Sequence, residues 1–494
     1  MTTTAAAQGP PTANAPEEAA APGRRAVRLP FAATVLAMLP AVLDQTILAT
    51  ALPTIAGDLG RLTDVSWLVT VYVVAATATT PLWGKLGDRH GRKPLLQVSL
   101  AWFVGASALC GAAQDMTQLI VLRGVQGLAA GGLMTLAMAG VGDLVSPRER
   151  GRYQGYIAAT FAAATVVGPL AGGLLVDQVS WRWVFYVNLP VGLAALAVLS
   201  TTFPGCDPGR PAQRLDLPGA ALLAGATCAL LLVCVWGGDR YAWTSPVILG
   251  LATAAAGLAA ALIARERRAA DPIVPLGMLR SRAVGVASLA LFLTTASLFS
   301  VVVFVPLFLQ AATGADPTEA GLLMVPMMLG TALSTSLAGR RIARTGRYRH
   351  YPPIGLAGMA GALVVLAALA GEHSRATTAV ALAGFGLGFG LVTQVLMVAV
   401  QNAVDRRRLG TATAVTSFFR ALGGSAGAAA LGAVFAAQSG TSARGGVGRI
   451  DPHAVAEIAS AVQTVFVAAI PLAVLGLIVV LRLPAARLST EAPG

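Results

Sequence analysis

Hydrophobic positions along the chain gather into long runs, and polar positions gather into the short connections between them. An α-helix rises ~1.5 Å per residue, so about 20 apolar residues span the ~30 Å hydrocarbon core of a bilayer. Fourteen runs approach that length, near 29–55, 65–84, 94–113, 117–140, 152–176, 182–202, 216–236, 245–264, 283–311, 317–339, 350–371, 376–400, 409–436 and 460–481. The pattern predicts an all-α polytopic membrane protein, because a helix in lipid satisfies its backbone N–H and C=O groups within its own segment.

Composition leaves little else to build. Of 494 residues, 56% are hydrophobic and 12% charged, which leaves almost no room for soluble domains. Residues 1–28, rich in Ala, Pro and Thr, have little to bury and read as a disordered tail that lacks a signal peptide's apolar stretch. Cys110, Cys206, Cys228 and Cys234 show no metal or redox spacing, so packing roles are assigned to them.

A net charge of +13 would suit nucleic acid, but the basic residues are sorted by connection instead. Connections on the side of the N-terminal tail hold 27 of the 35 Lys and Arg, the opposite connections hold six, and Arg123 and Arg420 fall inside runs. By the positive-inside rule both termini are cytoplasmic. The segment 265–282 mixes Arg with Ile273, Val274, Leu276, Met278 and Leu279, which suits either a linker lying in the membrane interface or a solvated one.

Asp44 is the residue with least reason to be where it is. A carboxylate placed centrally in an apolar helix costs about 2.5–3.5 kcal/mol on insertion scales, and such acids are functional by default. Asp44 lies ~12 Å short of Leu52 near the outer end of its run, and Arg123 ~9 Å inside the fourth run from the same face, so the two share a layer. A carboxylate near a guanidinium whose separation or hydration changes is a proton site; a structural hydrogen bond from Arg123 or Gln126 is the alternative. Arg420 lies ~17 Å into the thirteenth run, and the runs of its own half hold no acid apart from Glu319 at the start of the tenth. Binding a substrate carbonyl, meeting Asp143 as a gate and capping backbone carbonyls are all open to it. Gln45, Gln126, Asn188 and Gln394 are further polar candidates for the lining of a cavity. Met324, Met327 and Met328 offer soft apolar surface to a hydrophobic ligand or to the core.

The loop after the second run, GKLGDRHGR, is echoed at the end of the tenth, GRRIARTGR. Gly84, Arg89, Gly91 and Arg92 fall on Gly339, Arg344, Gly346 and Arg347, while Asp88 falls on Ala343. The loops are eight runs apart, so two halves of six carry two inserted runs, the seventh and eighth. The expected organisation is a tail at 1–28, a six-helix bundle at 29–202, linkers with two extra helices at 203–282, a second bundle at 283–481 and a tail at 482–494.

GKLGDRHGRK resembles the signature loop of the major facilitator superfamily, with Gly84, Asp88, Arg89, Gly91 and Arg92 in the expected places. Gly155, Gly168, Pro169, Gly172 and Gly173 resemble the fifth-helix motif that marks exporters there, although Ala164 stands where the pattern has Gly. Asp44 with Ala51 to Pro53, and Arg123 in LIVLRGVQG, are similar to patterns of its fourteen-span drug:proton antiporters. The resemblance implies the major facilitator fold with fourteen transmembrane helices (6+2+6). It implies proton coupling through Asp44 and Arg123, and a latch in which Asp88 meets the start of the thirteenth helix near Gly410 and Thr411 while Asp143 pairs with Arg89. The implied activity is export of hydrophobic or cationic small molecules across the cytoplasmic membrane by a functional monomer in contact with lipid. A lipid flippase is the alternative on this scaffold, and a nutrient symporter is a more distant one. No catalytic, metal-binding or nucleotide-binding constellation is visible among His90, His350, His373, His453 and the glycine-rich loop, so no cofactor is expected beyond the coupled proton.

Overall fold

The computed structural model describes residues 24–59, 65–203, 216–238, 240–269, 271–313, 317–369, 375–438 and 452–484. Most of the expected tails, and Cys206, lie outside these residues. Residues 24–28, assigned to the N-terminal tail above, are instead the opening turn of the first helix.

The helices run in the order α1 (Arg24–Leu59), α2 (Val65–His90), α3 (Arg92–Gly111), α4 (Met116–Leu144), α5 (Pro147–Gln178), α6 (Trp183–Tyr186), α7 (Asn188–Thr202), α8 (Leu217–Trp236) and α9 (Pro246–Glu266). They continue with α10 (Leu276–Arg280), α11 (Arg282–Thr313), α12 (Pro317–Leu322), α13 (Val325–Thr345), α14 (Tyr351–Leu369), α15 (Arg375–Asn402), α16 (Leu409–Gln438) and α17 (Pro452–Val480). Among the described residues, 13 helical segments are long and apolar enough to cross a membrane, with α6 and α7 forming one of them. The remaining long helix, α13, ends in Arg340, Arg341 and Arg344 and carries Thr331 and Thr335 in its middle. Those hydroxyls are turned to protein, donating to the carbonyls of Gly386 and Gly390 on α15 at 3.1 Å each. A helix with one face against protein can carry polar residues on that face without exposing them to lipid.

Buried apolar side chains form separate cores. One draws on residues from Met278 to Leu483 and includes Phe304, Phe385 and Phe466. The others draw on Val27 to Phe203, with Met397 reaching in from α15. Helices α8 and α9 pack on each other, and α8 also leans on α2 and α16.

The echoed loops occupy related positions. Gly91 (φ 86°) ends α2 and Gly346 (φ 67°) ends α13, both in the left-handed region that favours glycine. Gly84 lets α2 approach α16, where a Cβ would stand 2.6 Å from the Gly410 carbonyl oxygen. Gly339 lets α13 approach α5, where a Cβ would stand 2.9 Å from the Arg152 amide nitrogen. The second and tenth runs of the sequence thus make equivalent crossings onto the opposite half. Only the first of the two loops carries the acid, since Ala343 stands where Asp88 does.

The inserted pair is tied down by polar contacts. Asp216 caps α8 through the Gly219 amide at 3.1 Å and accepts from Arg265 Nε at 3.1 Å. Lys85 on α2 donates to the Asp271 carboxylate at 2.7 Å and to the Asp271 and Pro272 carbonyls, while Glu266 accepts from the Ile273 and Val274 amides. Ile273 is fully buried and Met278 nearly so, so these linker residues face protein, where an interfacial or solvated linker would have left them outside.

Candidate functional site

Asp44 is completely buried, and three side chains from two other helices close around it. Arg123 Nη1 donates to Oδ2 at 2.6 Å, while Gln126 Nε2 and Asn188 Nδ2 donate to Oδ1 at 3.1 and 3.2 Å. Arg123 Nη1 also donates to Gln126 Oε1 at 2.7 Å, and its guanidinium lies 4.3 Å from the centre of the Tyr72 ring. Asn188 Nδ2 is held by Ser107 Oγ at 3.0 Å. Both carboxylate oxygens accept N–H groups, an arrangement that suits an ionised carboxyl, which has no proton to donate. Asn188, expected in the cavity wall, instead belongs to this cage, and Gln126, open to that wall or to a hydrogen bond with Asp44, takes the hydrogen bond. The reason is charge: a buried anion is stable only where donors converge, and neighbouring amides are drawn to it.

The α1–α5 seam runs beside Asp44. Gly168 faces Thr46, where a Cβ would stand 2.6 Å from the Thr46 Cβ, and Gly172 faces Ile47, with its carbonyl oxygen at 2.9 Å from such a Cβ. Gly155 packs instead on Ser336 of α13, and Gly173 has no atom within 4 Å of a built Cβ. The motif is therefore divided, with Gly168 and Gly172 on an intra-half seam, Gly155 on an inter-half seam and Gly173 on neither, and Pro169 lies inside α5 between the two α1 contacts. Gly168→Ala is expected to displace α1 at the residues next to Asp44 and to lower transport at least about tenfold. Gly173→Ala is expected to leave transport unchanged, because the added methyl meets nothing. Flux in reconstituted vesicles at matched protein amounts checks the pair.

The signature loop joins the halves. Asp88 accepts from the Gly410 amide at 2.7 Å, and from the Thr411 amide and hydroxyl at 2.6 and 2.7 Å. These are the first amides of α16, whose unpaired donors and partial positive charge favour an anion. Arg92 Nη2 bonds Asp88 at 3.0 Å, and Nη1 bonds Asp143 and the Ala139 carbonyl. The partner of Asp143 is therefore Arg92, not Arg89 as the resemblance implied, and Arg89 Nε is buried without a hydrogen-bond partner among the described residues. Arg92 opens α3 after the bend at Gly91, which turns its side chain back toward α4, whereas Arg89 is still on α2. In the sequence Arg150 is one of the basic residues flanking a run. It is buried, donates to the Gln401 carbonyl at 2.8 Å and holds the Gly142 carbonyl through two nitrogens. Gln401 in turn donates to the Met138 carbonyl at 3.3 Å. No pattern in the sequence singles these two out, since basic flanks and helix-end glutamines are common.

A cavity of about 320 Å³ lies between the halves, lined by α4 and α5 on one side and α11, α13, α15 and α16 on the other. Phe161, Met327, Met328 and Phe389 provide its soft apolar wall, and Gln394 and Arg420 its polar positions. Met324 is nearly fully buried in the core of its own half. Gln45, also expected there, is exposed and absent from this lining. Asp44 is not in the lining either, so the carboxylate cage and the cavity are separate compartments of one molecule. With Asp143 held by Arg92, a gate formed by Arg420 and Asp143 is not part of this conformation. Trp181 is buried, with Nε1 bonded to Asp58 at 2.8 Å, whereas Trp183 is exposed.

Comparison with known proteins fits this architecture. The chain is 37% identical over 407 residues to the "Multidrug transporter protein MdtP" of Bacillus subtilis, covering 82% of this chain and 75% of that one. It is 34% identical over 403 residues to "Multidrug resistance protein 3" of the same organism, covering 81% and 78%. The solved structure of the proton:xylose symporter XylE superposes with a TM-score of 0.63 at 14% identity, over 94% of this chain and 97% of that chain, a likeness of fold. The model of the Major Facilitator Superfamily matches residues 34–428 and 287–494. Two bundles meeting across a signature loop, with the family's pattern along nearly the whole chain, make this multi-pass membrane protein a member of the Major Facilitator Superfamily.

Proposed function

We propose that the protein is a proton-coupled antiporter that exports hydrophobic compounds across the cytoplasmic membrane, with both termini inside. The observation that carries this reading is the caged Asp44, a fully buried carboxylate whose partners come from α4 and α7. The names of the two Bacillus relatives support the substrate class. In the described conformation the halves are joined at the signature-loop end by Asp88 and Arg150, an arrangement closed to the cytoplasm under this orientation. Rocking of the halves breaks those bonds and opens the cavity to the cytoplasm. A shift of α1 along its glycine seam with α5 separates Asp44 from one or more donors and lets a proton replace them. Proton loading from outside and release inside reset the cycle, so the gradient supplies the free energy. No nucleotide or metal takes part, and one polypeptide contains both compartments.

The test is transport by purified protein in proteoliposomes, with an imposed pH gradient and a fluorescent lipophilic dye. Dye movement against its own gradient, opposite in direction to the protons and abolished by nigericin, is the expected result. Movement in the same direction as the protons, or insensitivity to the gradient, counts against antiport.

A further inference from the structure

The cavity between the halves contains a cation and no anion. Arg420 lies ~17 Å along α16 from its start, at mid-membrane depth, and lines the cavity. Among the described residues it has neither a hydrogen-bond partner nor an ion-pair partner. The four lining helices of its own half, α11, α13, α15 and α16, carry no Asp or Glu. From the other half, α4 contributes Asp143, already bonded to Arg92, and α5 has Glu149 and Asp177, exposed near its two ends. The fixed charge of a guanidinium is not relieved by deprotonation, and Arg420, partly exposed on the cavity wall, presents that charge to the cavity with no fixed anion opposite it.

The other hydroxyls of the wall are engaged. Thr165 and Thr393 each donate to a carbonyl four residues earlier in their own helix, at 2.8 and 3.1 Å, and the Thr331 proton is shared between the Met327 and Gly386 carbonyls, at 2.9 and 3.1 Å. That leaves Arg420 and Gln394 as the donors available to an occupant, against a wall of Met and Phe. A planar fork of N–H groups matches a carboxylate through two parallel bonds, and the cavity volume is in the range of drug-sized sites.

We propose that Arg420 determines substrate specificity and that the cavity takes amphipathic organic acids, the apolar body lying on Met327, Met328, Phe161 and Phe389 and the carboxylate on Arg420. This rests on the transporter reading above and gives it a charge balance. Export of a monoanion against one proton moves two charges in the same electrical sense, so an inside-negative potential drives it together with the pH gradient. Exchange of a monocation for one proton moves none.

Binding separates this proposal from the export reading. Pyrenebutyrate, its methyl ester and pyrenebutyltrimethylammonium are titrated by fluorescence onto the full-length protein in nanodiscs. The acid is expected to bind at least about tenfold more tightly than the ester, with the cation weakest. Arg420→Gln is expected to bring the acid down to the level of the ester while leaving ester binding intact, which also shows that the variant is folded. Arg420→Lys is expected to keep part of the preference. Equal binding of acid and ester by the wild type, absence of saturable acid binding, or a preference that survives Arg420→Gln overturns the proposal. Acid-selective binding without any movement driven by a pH gradient supports the site and overturns the export reading instead.

Discussion

Asp44→Asn is expected to abolish acceleration of export by a pH gradient while leaving substrate exchange at equal pH measurable. Asparagine keeps the shape of the carboxylate but removes the titratable group and turns one acceptor into an N–H donor. Wherever that amide points, it faces a donor from Arg123, or from Gln126 and Asn188. Arg123, almost fully buried, then has no counter-charge, and breaking a buried pair by removing one partner costs about 3–5 kcal/mol. Part of any loss of activity in the single variant is therefore loss of stability. The double variant Asp44→Asn with Arg123→Gln removes both charges and is expected to recover thermal stability but not coupling. Detergent-solubilised melting curves and paired flux measurements, with and without the gradient, check both halves of the expectation. Gradient-stimulated export that persists in the single variant would remove Asp44 from the coupling scheme.

Asp88→Asn is expected to open the signature-loop end. The carboxylate holds three donors of Gly410 and Thr411 across the boundary between the halves, besides Arg92 on its own side. Hydrogen bonds to a charged group contribute about 1.5–3 kcal/mol each, and an amide leaves at least one of the two α16 amides facing a donor. A loss of about 3 kcal/mol changes the ratio of closed to open molecules by roughly a hundredfold. Spin labels at His90 and Arg407, both exposed, in a background without Cys110, Cys206, Cys228 and Cys234, report this as a longer distance distribution. An unchanged distribution would show that Asp88 does not hold the halves together. The repeat provides an internal comparison, because Ala343 leaves the matching crossing of α13 on α5 without such a latch.

The placement of helices was legible because it is a one-dimensional property. Crossing a bilayer needs a stretch of apolar residues, and the stretch is contiguous in the chain. Asp44 and Arg123 stood out for the same reason, being charges where lipid penalises charge, whereas Asp88 was marked by the resemblance of its loop. The echo between 84–92 and 339–347 likewise lies on the surface of the sequence, and the crossings of α2 on α16 and α13 on α5 follow from it.

Partner choice lay beyond that reach. Asp143 has Arg89 and Arg92 near it in the pattern, and only the bend at Gly91 sends Arg92 toward α4. Gln126, open in the sequence to either role, and Asn188 look like Gln394 there, as single amides in apolar helices. The fold sends the first two to an anion and the third to a cavity, because helix rotation sets which side chains converge. Arg150 and Gln401 join the halves through carbonyls, which every residue has and no residue type advertises. Apolar length and misplaced charge are local and survive in a string of letters. Which donor meets which acceptor depends on six or more helices packed at once, and only their assembled geometry distinguishes the caged carboxylate from the open, cation-lined cavity.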